Sequence, residues 1–223
     1  VRIWRKHDDR HALANALAWL TLCAASAGDF ATQRPAGEES LALYRELGDD
    51  WGRALVLMFL VGALREEVGI GAAQAALQES AQASHATGDI WAISNAVTSM
   101  GRQHFLDGNF AAAQELSEQG AILRMQAGDK SLAVHSLFTA GHASERMGDY
   151  SRAKASYRQV VSLNWECGNA TRSLWGMIPL ARVAGRMGDM ARAVQLLAAS
   201  QTFDKNGAAQ AMQELPPGPN PEH

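Results

Sequence analysis

Cysteine is nearly absent: Cys23 and Cys167 are the only two, far apart and in no metal-ligand or redox spacing. Each lies in an apolar helical stretch, so both are expected to be buried, reduced thiols of a cytoplasmic compartment. Long apolar runs are missing as well. The stretch 54–64 is too short to span a bilayer, and no signal-peptide pattern is visible, so no membrane role is expected. Tyrosine (3) and phenylalanine (6) are few, and strand-like alternation is hard to find, which argues against a sheet. Neither sign of charge dominates: 20 Lys and Arg against 23 Asp and Glu give a net charge of -3, and such a chain has no electrostatic reason to bind nucleic acid directly. The densest basic stretch, Arg2, Arg5, Lys6 and Arg10, is interrupted by Asp8 and Asp9 and reads as a solvated helix start.

What is present is alanine, which favours close helix approach, and glycine at measured intervals. Gly-Asp or Gly-Asn pairs begin at Gly28, Gly48, Gly88, Gly108, Gly128, Gly148, Gly168 and Gly188, always a multiple of 20 residues apart, with Val68-Gly69 filling the remaining slot one residue late. Glycine can take the left-handed conformation that closes a helix, and the following Asp or Asn can cap the next one. The spacing therefore predicts helix, turn, helix, turn, with about 16 residues and roughly 24 Å per helix. Two kinds of segment alternate, so the true period is 40. The second kind opens with an aromatic or Met after the turn and a small Ala three residues on, as in Tyr150 with Ala153 and Phe110 with Ala113.

Within one period, Ala140-Gly141, Gly148-Asp149-Tyr150, Ala153 and Tyr157 resemble the tetratricopeptide signature. Met100-Gly101 with Gly108-Asn109-Phe110 and Ala113, and Leu180-Ala181 with Gly188-Asp189-Met190 and Ala193, repeat it. Weaker copies stand around Gly28, where Gln33 occupies the Ala position and Pro35 and Gly37 follow, and around Gly69 with Ala73 and Leu77. The resemblance implies an all-α fold, a right-handed α-α superhelix of about five helix pairs. It frames repeats at 14–47, 54–87, 94–127, 134–167 and 174–207 in a solenoid over 1–214, with a proline-rich tail at 215–223. The stretch 201–213 is expected to cover the end of the stack. Pro35 is expected to be tolerated if it falls in the first turn of its helix. Trp51 and Trp91, in the same slot of successive repeats, are expected to cover joints between units.

The 40-residue form, with Leu196-Leu197-Ala198-Ala199 near its end, is similar to the C-terminal helical region of bacterial signal-transduction ATPases and LuxR-type transcription regulators, the maltose-regulon activator among them. That resemblance implies a sensor or scaffold that binds a protein segment, a peptide or a small anionic inducer, or holds an upstream nucleotide-binding switch domain closed. No Gly-rich phosphate loop and no helix-turn-helix reader occurs in these residues. The chain begins with Val1, so any such parts are expected upstream.

In tetratricopeptide stacks the first helix of each pair lines a concave groove. The slots of the first two repeats are mostly apolar, Ala18 and Leu55 among them. The last three repeats supply Arg102, His135, Phe138, His142, Arg146, Trp175 and Arg182. Arginine beside exposed rings suits an acidic or partly aromatic peptide or an anion. The lysine and asparagine set of the family's carboxylate clamp is absent. His135 and His142 are two turns, about 10 Å, apart, too far to ligate one metal together. No nucleophile, base and carboxylate are placed together, so neither an enzyme nor a cofactor is expected. The competing reading is a structural or self-associating module without a ligand groove, whose apolar N-terminal end packs on a neighbouring domain or a second copy.

Overall fold

The structure, a computed structural model, describes residues 1–206. Ten α-helices follow one another in it: α1 (Arg10–Ala27), α2 (Phe30–Leu47), α3 (Asp50–Glu67), α4 (Ile70–Thr87), α5 (Ile90–Leu106), α6 (Phe110–Gln126), α7 (Lys130–Arg146), α8 (Tyr150–Glu166), α9 (Leu174–Arg186) and α10 (Met190–Asn206). Short 3-10 turns, Trp4–Lys6 and Ala170–Ser173, precede α1 and α9. No strand occurs among the described residues. The proline-rich tail, and most of the stretch proposed to cover the end of the stack, lie outside them.

Each predicted turn is a helix end. Gly28 has φ 70°, its N–H and that of Asp29 close α1 on the carbonyls of Ala25 and Ala24, and the Asp29 carboxylate accepts the N–H of Thr32 at 3.0 Å to start α2. The same cap recurs at Asp9, Asp49, Asp129, Asp149 and Asp189. The late slot differs: Gly69 caps α4 with φ 118° and no side-chain bond. The chain divides into two compact units, the first Val1–Gln103 and the second from His104.

In the first unit α1 packs on α2 and α3, and α2 and α4 both pack on α3. Its core joins Ala14, Ala18, Leu41, Tyr44, Val56, Leu57, Leu60 and Ala76. Ala18 and Leu55 are therefore core residues, 2% and 9% exposed, and not groove lining as the slot pattern predicted. The helices interlock by size. A Cβ on Gly37 would lie 2.3 Å from Leu60 Cδ2, and one on Gly52 would lie 2.2 Å from Tyr44 Cε1, so both glycines admit a large neighbour. A hydroxyl repeats at one period: Ser40 donates to the Ala14 carbonyl and Ser80 to the Ala54 carbonyl, both at 2.8 Å. Gln33, in the usual Ala position, is fully buried and donates its amide to the Phe59 carbonyl.

In the second unit α7 lies between α6 and α8, and α9 between α8 and α10. Ala121, Ala133, Val134, Leu137, Val160 and Leu163 form one core cluster, and Ala153, Tyr157, Leu180, Ala181, Val183 and Leu196 the next. Tyr157 is fully buried, and a Cβ on Gly141 would stand 2.6 Å from its Cε1.

One expectation fails and one condition is not met. Cys23 and Cys167 are both exposed: Cys23 lies on the outer face of α1, and Cys167 is the C-cap of α8, where side chains project past the helix end. Pro35 is the sixth residue of α2, beyond its first turn, so the Ala31 carbonyl loses its intrahelical donor.

Two stability changes follow. Gly141→Leu costs about 1–3 kcal/mol in denaturant unfolding, because the new side chain enters the space of the Tyr157 ring. Exposed Pro35 makes no packing contribution to offset its missing N–H, so Pro35→Ala stabilises the chain by about 1–3 kcal/mol in the same assay.

Candidate functional site

Helices α7 and α9 are both first helices of a pair, and the 40-residue register sets position 135 beside 175, 138 beside 178 and 142 beside 182. Six of the seven predicted groove residues stand on these two helices of the second unit. Arg102, exposed on α5, belongs to the first unit.

The face begins with His135 and Trp175, whose rings meet edge to face at 5.8 Å between centroids. Trp175 is 46% exposed, and the Arg172 guanidinium lies 5.6 Å from its ring, within cation-π range. Desolvation, Arg172 and Arg124 together lower the His135 pKa, against a small opposing pull from Asp129. Ile178 follows one turn along α9, 50% exposed. Phe138 is only half-buried and packs against both core clusters of the second unit, so it forms the floor of this face and not a free anchor. Its ring meets His142 at 4.5 Å and Tyr157 at 5.9 Å.

The polar centre lies next to His142. Glu145, one turn further along α7, receives Arg182 Nε at 2.8 Å and Arg182 Nη2 at 2.6 Å on its two oxygens, and the Tyr157 hydroxyl donates to it at 2.6 Å. This is the paired geometry that suits guanidinium to carboxylate. Burial pushes the Glu145 carboxyl up, but the hydrogen bonds from Arg182 and Tyr157 outweigh it and hold the pKa below the ordinary value. Tyr157 is raised far above the usual phenol range, first by burial and then by Glu145, so it stays a donor. Burial also lowers His142, with Arg182 adding to the effect and Glu145 opposing it.

Arg146 is exposed, with its guanidinium 4.5 Å from the Phe110 ring. The two predicted groove arginines of the second unit are therefore engaged: Arg182 by a carboxylate and Arg146 by a ring. Arg172, Tyr157 and Glu145 complete this face, and none of them is among the residues that the slot pattern singles out for the groove. The signal for Glu145 was a one-turn offset across the register: position 182 faces 142, and a long arginine reaches the residue one turn beyond.

In the first unit, Trp51 and Trp91 stack at 5.9 Å with 21° between planes, and the Trp51 indole donates to Asp89 at 3.2 Å. His11, one period before Trp51, makes the equivalent contact with Asp49 at 2.9 Å. These side chains tie successive repeats together, in agreement with the joint-covering role expected of the tryptophans. Among the described residues no three His, Cys, Asp or Glu side chains converge as metal ligands, and no helix is long and apolar enough to cross a membrane.

Residues 134–164, which are most of α7 and α8, match the family model of the tetratricopeptide repeat. The fold is of that type throughout the described residues. BtubC from P. vanneervenii superposes with a TM-score of 0.79 at 15% identity, over 100% of this chain and 90% of that one. A Rap protein complexed with Competence and Sporulation Factor gives 0.71 at 13%, over 93% of this chain and 62% of that one. The Signal Transduction ATPase with Numerous Domains protein with a tetratricopeptide repeat sensor from Pyrococcus horikoshii gives 0.66 at 16%, over 90% of this chain and 33% of that one. No curated protein matches the chain in sequence.

The two histidines set a pH response. Their folded pKa values lie below the ordinary 6.5, so on acidification the unfolded chain takes up protons first and stability falls. The fall starts as pH drops through about 6.5 and ends below the lowered folded values. Denaturant unfolding between pH 7.5 and 5 shows this decline, and His135→Gln with His142→Gln flattens it.

Proposed function

We propose that this chain is a binding module, a sensor or scaffold of a bacterial signalling or transcription regulator, that takes a protein segment or a small anionic inducer on the face of α7 and α9. The observation that carries this reading is Arg182. Glu145 and Tyr157 hold it in one orientation while it stays 48% exposed at its side chain. Glu145 uses Nε and one Nη2 proton, so the opposite edge of the guanidinium, with Nη1, remains available for a carboxylate or phosphate. Trp175 and Ile178 lie along the same helix and supply apolar contact. The fixed arginine loses little freedom on binding, which favours affinity. The likeness to a sensor-bearing signal-transduction ATPase and to a Rap protein in complex supports the reading at the level of fold.

The practical assay is a panel of acidic and aromatic peptides and small dicarboxylates, read by tryptophan fluorescence, with calorimetry on each hit. Arg182→Ala weakens binding by about 1–3 kcal/mol and Trp175→Ala by about 2 kcal/mol, with helical content unchanged. Arg192→Ala on α10, away from this face, has no effect. Binding that survives both Arg182→Ala and Trp175→Ala overturns the proposal and leaves the structural module as the better reading.

A further inference from the structure

The start of α9 departs from the repeat. In register with residue 172, the earlier first helices carry Ala12, Gly52, Ala92 and Leu132, none of them charged. Gly52 is buried and Ala92 is 4% exposed. Before α9 the chain is wound instead as the 3-10 turn Ala170–Ser173, and Arg172 is exposed. A 3-10 turn has three residues per turn and rises about 2 Å per residue, so its side chains leave in other directions than those of an α-helical first turn. This turn is tied down. The buried Asn164 amide donates to the Arg172 carbonyl at 3.1 Å, and the buried Ser173 hydroxyl donates to the Val161 carbonyl at 3.5 Å.

Arg172 thus stands at one end of the face described above, with its guanidinium over the Trp175 ring at 5.6 Å. Arg182 stands at the other end, held by Glu145. Trp175 and Ile178, 46% and 50% exposed, lie between them along α9. No acidic residue occurs from Cys167 to Gly188, and Glu145 is taken up by Arg182 and Tyr157. The helical rise to residue 182, counted from 175 or from 172, sets the two guanidinium groups roughly 10–16 Å apart.

We infer that Arg172 is a second anion anchor that selects the ligand of this face by length. The ligand is an extended acidic segment of a polypeptide, with two carboxylates about three to five residues apart and an apolar side chain between them. The inference rests on the reading of α7 and α9 as a binding face and decides between the two ligand classes left open there. One carboxylate pairs with the outer edge of Arg182 and the other with Arg172, while the apolar side chain covers Trp175 and Ile178. An extended chain advances about 3.3–3.6 Å per residue, which matches the gap at that spacing. A short dicarboxylate reaches one anchor only. Once one carboxylate is bound, the second contact is intramolecular, so it adds affinity only where the spacing lets both form.

The probes are blocked peptides with two glutamates, set from adjacent positions to about twice the expected spacing, and one leucine between them wherever there is room. Affinity for the full chain is read by tryptophan fluorescence and calorimetry. It peaks at a separation of about three to five residues, about tenfold above the adjacent pair. Arg172→Ala abolishes the peak and leaves the affinity of the adjacent pair within about twofold. Arg182→Ala weakens every peptide. Arg186→Ala removes the same charge one turn further along α9 and leaves the peak in place, which separates an anchor from a general positive field. Circular dichroism establishes that the variants are folded. Affinity that does not vary with spacing overturns the inference. So do a peak that survives Arg172→Ala or is lost in Arg186→Ala, tighter binding of succinate than of any peptide, and no binding of any peptide. Where Arg182→Ala still weakens the binding of peptide or succinate, the binding face stands and only the length selection falls. If Arg182→Ala leaves every affinity unchanged, the reading of the face fails and the inference with it.

Discussion

A left-handed glycine about every 20 residues, followed at most turns by a capping carboxylate, sets the length of nearly every helix in this protein. Helix length in turn decides register. Because successive pairs have the same length, a side chain on one first helix meets the side chain 40 positions later on the next, and contacts repeat. Ser40 with Ala14 becomes Ser80 with Ala54, and His11 with Asp49 becomes Trp51 with Asp89. A turn one residue longer or shorter would rotate a helix by about 100° and bring a polar side against the core. The late turn at Gly69 is absorbed locally, since the ends of α4 differ and the helix that follows resumes the register.

Tyr157 links this framework to the candidate site. Its ring occupies the space left by Gly141, so its position depends on a side chain that is not there. Its hydroxyl emerges beside α7 and fixes Glu145, which fixes Arg182. Core packing thus orients a surface guanidinium that would otherwise sample many rotamers. The pairing with Glu145 is strong because Glu145 is only 12% exposed at its side chain while Arg182 remains open. A surface pair such as Lys130 with Glu166, at 2.9 Å and about half-exposed on both sides, contributes far less order.

The slot pattern misplaced several side chains for one reason. It counts positions around a helix but not the size of the neighbour. Ala18 is drawn inward because α1, α2 and α3 share a single core, and Leu55 lies among Trp51, Met58, Ser84 and Trp91. Phe138 sinks to the floor because its ring completes the packing around Tyr157. Cys23 errs in the other direction: its slot is an inward one in every counterpart, but among the described residues no helix covers it in α1.

Glycine, aspartate and alanine at fixed intervals determined from the sequence alone that the chain is helical, where its turns fall and which residues share a face. Those features are local, since a cap or a left-handed glycine acts within a few residues. Aromatic and basic side chains on the later first helices were legible in the same way, because a face is a matter of period. Only the tertiary structure decided that Arg182 is held by Glu145, that Arg146 rests on Phe110, and that Trp51 stacks on Trp91. These contacts depend on the distance and rotation between helices, which are set by the volumes of side chains far apart in sequence.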